Sequence, residues 1–257
     1  MLSNIQIKEF SRIYKISDSV VVREYFQILF LKELYDENFS KYIYFKGGTA
    51  IRLLFSGTRF SEDLDFTVTA QMNDFDDFIK AFFAKLMKLY EFNFKKRDST
   101  VGQKYLLTVN DKALRTSVFI SLDFSFREKV LDPDKSILNT SYPVIFTSFV
   151  NHLSQAEILS EKVRALLTRE KGRDLYDLWY LLTKNTEIRI DFIIEKLKYY
   201  NINSFEPKDL LSKLDSFNRE KFVLDLRPFV AVSEREKLAG FFDYTIAFLK
   251  DKFLTDS

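Results

Sequence analysis

Two aspartates one residue apart, Asp63 and Asp65, lie in the run Asp63-Leu64-Asp65-Phe66-Thr67-Val68, where polar and apolar residues alternate. That period of two marks a strand with unlike faces, and residues i and i+2 of a strand point the same way. Their carboxylates therefore converge, with Cα atoms roughly 6–7 Å apart. They repel each other unless a cation lies between them. For an isolated Asp-x-Asp, a solvated strand face or a pair of caps is the simpler account. Asp123 changes the weighing. It sits in a second alternating run, residues 118–126, where Val118, Ile120, Leu122 and Phe124 point one way and Phe119, Ser121, Asp123 and Ser125 the other. An unpaired carboxylate is costly to bury in so apolar a strand. A third carboxylate on a neighbouring strand completes a site for one or two Mg²⁺ ions. Such a site positions a nucleoside triphosphate (NTP) and activates an attacking oxygen.

Upstream, residues 42–45 form a short apolar run that ends in Lys46-Gly47-Gly48-Thr49, and helical character resumes over residues 50–55. The pattern predicts a strand, a glycine turn and a helix. Adjacent glycines let the backbone approach a ligand with no Cβ in the way. The free N–H groups and positive dipole of the helix start suit a phosphate. Gly-Gly-Thr alone is no more than a turn signal. Downstream, residues 157–182 read as one helix carrying Lys162, Arg164, Arg169, Arg173, Asp174 and Asp177. Lys162 and Arg169 share a face, Arg173 and Asp177 are spaced to pair, and Val163, Leu166 and Leu167 can pack the other side. Taken alone, this is equally a salt-bridged surface helix.

Together these segments resemble the nucleotidyltransferases of the DNA polymerase β superfamily, and more narrowly the AbiEii/AbiGii-type toxins. In that family Lys-Gly-Gly-Thr-Ala opens the motif and Arg-x-Ser-x-Asp-x-Asp closes it. The matching positions here are Lys46, Gly47, Gly48, Thr49 and Ala50, then Arg59, Ser61, Asp63 and Asp65. Many members carry Gly-Ser where this chain has Gly48-Thr49, which keeps the hydroxyl. The later motifs match at Lys162, Arg164, Arg169, Arg173, Asp174 and Asp177, so the likeness spans residues 42–182.

The resemblance implies an α+β fold. A polymerase β-like mixed sheet with flanking helices fills residues 1–150, and a helical domain follows over residues 151–257, with the cleft between them. It implies a Mg²⁺-dependent enzyme with Asp63, Asp65 and Asp123 as metal ligands. Lys46, Gly47, Gly48, Thr49, Arg59, Ser61, Arg169 and Arg173 are the expected nucleotide contacts. Lys162 would reach the β- or γ-phosphate, and Asp123 or Asp177 would accept the proton. It further implies the toxin of a toxin–antitoxin or abortive-infection system, an RNA acceptor such as the tRNA 3′ end, and a separate antitoxin protein. Two alternatives stay open: the same site serving a small-molecule or protein acceptor, and a nucleotide-binding regulator without catalysis.

The elements that must position these residues follow from composition and pattern. The chain has 257 residues, of which 46% are hydrophobic and 30% charged, with only 6 Gly and 4 Pro, so it folds and is not a low-complexity segment. With no Cys, disulfides, thiol catalysis and Cys-ligated metals are excluded, and a single His excludes His-rich sites. Any metal site rests mainly on carboxylates, which favours hard cations. The balance of 39 basic and 37 acidic residues says little about partners, because local clustering decides. No run reaches membrane-span length and residues 1–18 lack a signal-peptide core, so a cytoplasmic protein is expected.

Helices are expected over residues 20–34, 75–92, 192–200, 207–214 and 234–249, and strands over 105–109 and 117–126. His152 reads as structural or capping, and Trp179 as core. Lys95-Lys96-Arg97 follows an aromatic helix. With Arg164, Arg169, Lys171 and Arg173 it could guide an RNA backbone, or be ordinary solvated surface.

Overall fold

A computed structural model of the chain describes residues 1–99, 102–111 and 116–255. It divides into two compact units. The first comprises residues 1–56 and 60–153, the second residues 57–59 and 154–257.

The first unit holds α1 (Asn4–Tyr14), α2 (Asp18–Tyr35), β1 (Ile43–Lys46), α3 (Gly47–Leu54), β2 (Asp63–Val68), α4 (Met72–Tyr90), β3 (Phe92–Arg97), β4 (Gly102–Asp111), β5 (Thr116–Ser125), β6 (Pro133–Ser136) and β7 (Val150–Leu153). The strands form one mixed sheet in the order β3-β4-β5-β2-β1-β7-β6, with parallel pairs at β2/β5 and β1/β7. The architecture is α+β, as the resemblance implies.

Register explains the sheet's two faces. Phe45, Phe66 and Phe124 are cross-strand neighbours on β1, β2 and β5. Phe66 and Phe124 stack with centroids 4.9 Å apart, and Phe45 lies 5.5 Å from Phe66. Phe26 and Phe30 of α2 and Phe75, Phe82 and Phe83 of α4 cover this face, reaching Phe92 and Phe94 of β3. Aromatic rings bury large areas in preferred edge and offset contacts, so much of the chain's aromatic content is spent here. The alternate residues, among them the aspartates, emerge on the opposite face.

Three strands escaped the sequence pattern. β3 takes in the expected basic run after α4, so Lys95-Lys96-Arg97 lies on a strand. β6 and β7 have four residues each and almost no period-two signal. His152 sits on β7, fully buried. Its Nδ1 lies 2.8 Å from the Leu153 carbonyl and its Nε2 2.9 Å from the Ser136 hydroxyl, and Phe55 meets the ring edge-on.

The second unit contains α5 (Gln155–Thr168), α6 (Gly172–Thr183), α7 (Ile190–Lys198), α8 (Pro207–Asp215), α9 (Arg219–Leu226) and α10 (Leu238–Thr255). The helix expected over residues 157–182 is two helices. Arg169 adopts an extended conformation, and the Gly172 N–H donates to the Asp225 carboxylate at 2.7 Å. A Cβ on Gly172 would press into the Phe222 backbone, so α6 and α9 approach closely only because that residue is glycine. Trp179 is half-buried rather than fully core. Its ring meets Phe241 edge-on at 4.7 Å. Lys196 is fully buried against Glu157 at 2.6 Å and Glu161 at 3.4 Å, which joins α7 to α5.

Candidate active site

Sequence dictates that Asp63 and Asp65 share a face of β2, and the sheet sets Asp123 beside them. β2 and β5 run parallel with Asp65 directly opposite Asp123 and Asp63 opposite Ser121. The same row continues in both directions. Lys46 on β1 faces Asp65, Lys104 on β4 faces Asp123, and Arg97 on β3 faces Lys104. Directly opposed residues project to the same face. Five strands thus present the ordered row Lys46, Asp65, Asp123, Lys104, Arg97, with Asp63 one step away. The three aspartates are half-buried.

Lys104 places its ammonium 2.8 Å from Asp123. Its hydrogen bond to Asp123, helped by the charges of Asp65 and Asp63, raises its pKa above the ordinary lysine value. All three carboxylates therefore act on one cation. The three side chains are oxygen donors on one face, the donor type that hard cations take. Among the described residues no three acid or histidine side chains stand close enough together to hold a metal ion.

β1 runs directly into α3 without an intervening turn. Gly47, the first helical residue, has φ +79°, and a Cβ there would collide with the Asp65 carboxylate. Glycine is what lets the start of α3 lie against the acid. Gly48 and Thr49 are buried in the first turn. The Thr49 hydroxyl donates to the Asp63 carbonyl, so it ties α3 to β2. Ser61 is buried just before β2, and its carbonyl accepts from Gln27 Nε2 at 3.3 Å. Lys46 is buried with its Nζ 3.8 Å from Glu128, a buried acid that no sequence pattern flagged.

The remaining expected residues meet in the helical unit. Arg59 reaches Asp177 through two bonds, Nε to Oδ1 and Nη2 to Oδ2, each 2.6 Å. Lys162 touches Asp177 at 2.8 Å and Asp174 at 2.9 Å. Arg169 holds the other Asp174 oxygen at 2.8 Å, so Lys162 and Arg169 meet on one carboxylate although Arg169 lies past the end of α5. The Asp177 oxygens are taken by Arg59 and Lys162, while the Arg173 guanidinium lies over the Phe229 ring at 4.9 Å. Burial pushes the Asp177 pKa up, but Arg59 and Lys162 outweigh it and hold the carboxyl below its ordinary range. Burial likewise opposes Asp174, and Lys162 and Arg169 bring it well below. Lys162 stays charged, because Asp174 and Asp177 overcome its burial and raise its pKa.

The sheet thus carries three aspartates on one face and a glycine pressed against one of them. A family model described as the nucleotidyl transferase AbiEii toxin of type IV toxin–antitoxin systems matches residues 29–244, and the chain belongs to that family. Two solved structures share its fold. MenT4, a nucleotidyltransferase toxin from Mycobacterium tuberculosis, is 18% identical with a TM-score of 0.63, covering 98% of this chain and 90% of its own. JHP933 from Helicobacter pylori is 19% identical with a TM-score of 0.54, covering 94% and 96%. No curated protein matches in sequence. Family membership makes the protein a toxin-type nucleotidyltransferase. Among the described residues no helix is long and apolar enough to cross a membrane.

Proposed function

We propose that the protein uses Mg²⁺ to transfer a nucleotide from an NTP to an RNA acceptor such as the tRNA 3′ end, as the toxin partner of a separate antitoxin. One observation carries this reading: Asp63, Asp65 and Asp123 share one sheet face, with the start of α3 held against Asp65 by Gly47. Asp63, Asp65 and Asp123 would hold Mg²⁺, which when bound offsets charge on the triphosphate and lowers the pKa of the attacking hydroxyl.

The chain's own residues do the rest. The N–H groups at the start of α3 face anionic phosphate oxygens. The acceptor oxygen attacks the α-phosphorus, the bond to the β-phosphate oxygen breaks, and pyrophosphate leaves. Asp123, half-exposed, takes the hydroxyl proton and passes it to water. Asp177 is the weaker candidate for this step, because two cations hold it ionised and both its oxygens are engaged. We read Arg59, Lys162, Asp174 and Asp177 as a positioning cluster, with Arg169 and Arg173 at its margin.

Incubation with Mg²⁺, total cellular RNA and each α-labelled NTP in turn tests the reading. Label should enter a tRNA-sized band with one nucleotide and be absent with Asp63→Ala. Label on protein, or on RNA with Asp63→Ala equally active, would overturn it.

A further inference from the structure

The strand register divides the basic run at the sheet's edge. Lys96 pairs with Tyr105 and belongs to the aromatic face. Lys95 and Arg97 pair with Leu106 and Lys104 and so project with the aspartates. Both are exposed, and neither makes an ion pair among the described residues. Arg97 lies two strands from Asp123, about 10 Å across the sheet. A third residue shares the face. Phe119 on β5 is four residues before Asp123, about 13 Å along the strand. It is 50% exposed, though the alternate residues Val118, Ile120, Leu122 and Phe124 are buried. It takes no part in the ring clusters of the opposite face, whereas nearly every other phenylalanine of the sheet does.

An exposed aromatic ring on a strand face that also carries exposed basic side chains two strands away is a combination that suits single-stranded nucleic acid. Bases stack on the ring and phosphates meet the cations. The second basic group does not offer this. Arg164 lies over the Tyr200 ring, Arg169 on Asp174 and Arg173 over Phe229. We propose that this face of the sheet is the docking surface for the single-stranded end of the acceptor RNA. Phe119 stacks a base, and Lys95 and Arg97 hold backbone phosphates beside the aspartates. The inference rests on the RNA-acceptor reading above and adds the residues that recognise the acceptor.

The test measures binding of a 5′-fluorescein-labelled single-stranded oligoribonucleotide to the full-length protein by anisotropy, across a salt series. Melting midpoints are recorded alongside. Phe119→Ala should weaken binding about tenfold and Phe119→Trp should restore it. Arg97→Gln should weaken binding and lower the slope of log affinity against log salt by about 0.7. The same strand annealed into a duplex should bind more weakly and ignore Phe119→Ala. Equal binding by wild type and Phe119→Ala, no binding by wild type, or displacement by polyglutamate as effective as by unlabelled RNA would each overturn the proposal. Asp63→Ala should bind the oligonucleotide like wild type while transferring no label. Label transfer without Phe119-dependent binding would overturn the docking face alone. Phe119-dependent binding without label transfer would overturn the catalytic reading alone.

Discussion

The chain carries two clusters of mixed charge, and they differ in what surrounds them. On the sheet, Asp63, Asp65 and Asp123 are half-exposed, and Lys104, whose side chain is 40% exposed, supplies the counter-charge through one flexible side chain. In the helical unit, Arg59, Lys162, Asp174 and Asp177 are buried and their carboxylate oxygens are each met by a cation. Buried charges are tolerable only when fully paired, and removing one partner strands the others. Exposed pairs contribute little and exchange partners readily. Only the sheet cluster can therefore change its counter-charge without stranding a buried one.

The buried cluster is most vulnerable at Asp177. Asp177→Ala leaves Arg59 and Lys162 buried beside a single carboxylate. It should cost about 3–5 kcal/mol, seen as a large fall in the melting midpoint. Asp123→Asn, equally placed at a carboxylate, should abolish label transfer yet change stability by less than about 1 kcal/mol. Matching losses from the two variants would erase the distinction. Next in size, Gly47→Ala forces a Cβ into the Asp65 carboxylate at a positive φ. About 1–3 kcal/mol of destabilisation is expected by denaturant titration, together with impaired transfer.

Acid sharpens the contrast further. Asp174 and Asp177 have pKa values below the ordinary carboxylate range. Their stabilisation is therefore complete above their unfolded pKa near 4, roughly, and is lost as pH falls through the lower folded values. Melting midpoints should fall steeply below about pH 4, and Asp177→Asn should flatten that slope. The smallest effect belongs to Lys104→Met. Removing the tethered ammonium should tighten Mn²⁺ binding several-fold, read by the loss of free Mn²⁺ signal in electron paramagnetic resonance.

How legible each cluster is in the sequence follows from how local it is. Asp63 and Asp65 are two residues apart, and the alternating pattern alone places them together. Asp123 could be matched to them because its own strand alternates so plainly. Lys104 was hidden, because residues 102–109 read Gly-Gln-Lys-Tyr-Leu-Leu-Thr-Val and alternate poorly. Its pairing with Asp123 depends on hairpin register, which spacing does not state. Arg59 and Asp177 lie 118 positions apart, and no local period couples them. The break between α5 and α6 was also invisible. Arg169, Glu170 and Lys171 are good helix formers, and contacts to Asp174 and Asp225 override that preference. β6 begins with proline and carries no apolar residue, so only backbone pairing with β7 makes it a strand. Glu128 lies in an irregular segment after β5, where no periodicity could announce its burial.

Residues 57–59 belong to the helical unit although they lie between α3 and β2 in the chain. The Thr58 hydroxyl meets that of Tyr176 at 2.5 Å, and Arg59 grips Asp177. A gene divided at codon 154 would therefore encode a helical fragment missing an arginine from its own interior. The other fragment would carry that arginine away from Asp177. Such halves could be recovered only by co-expression and reassembly, and a recombination event could not exchange the helical half as a cassette unless the three-residue loop travelled with it.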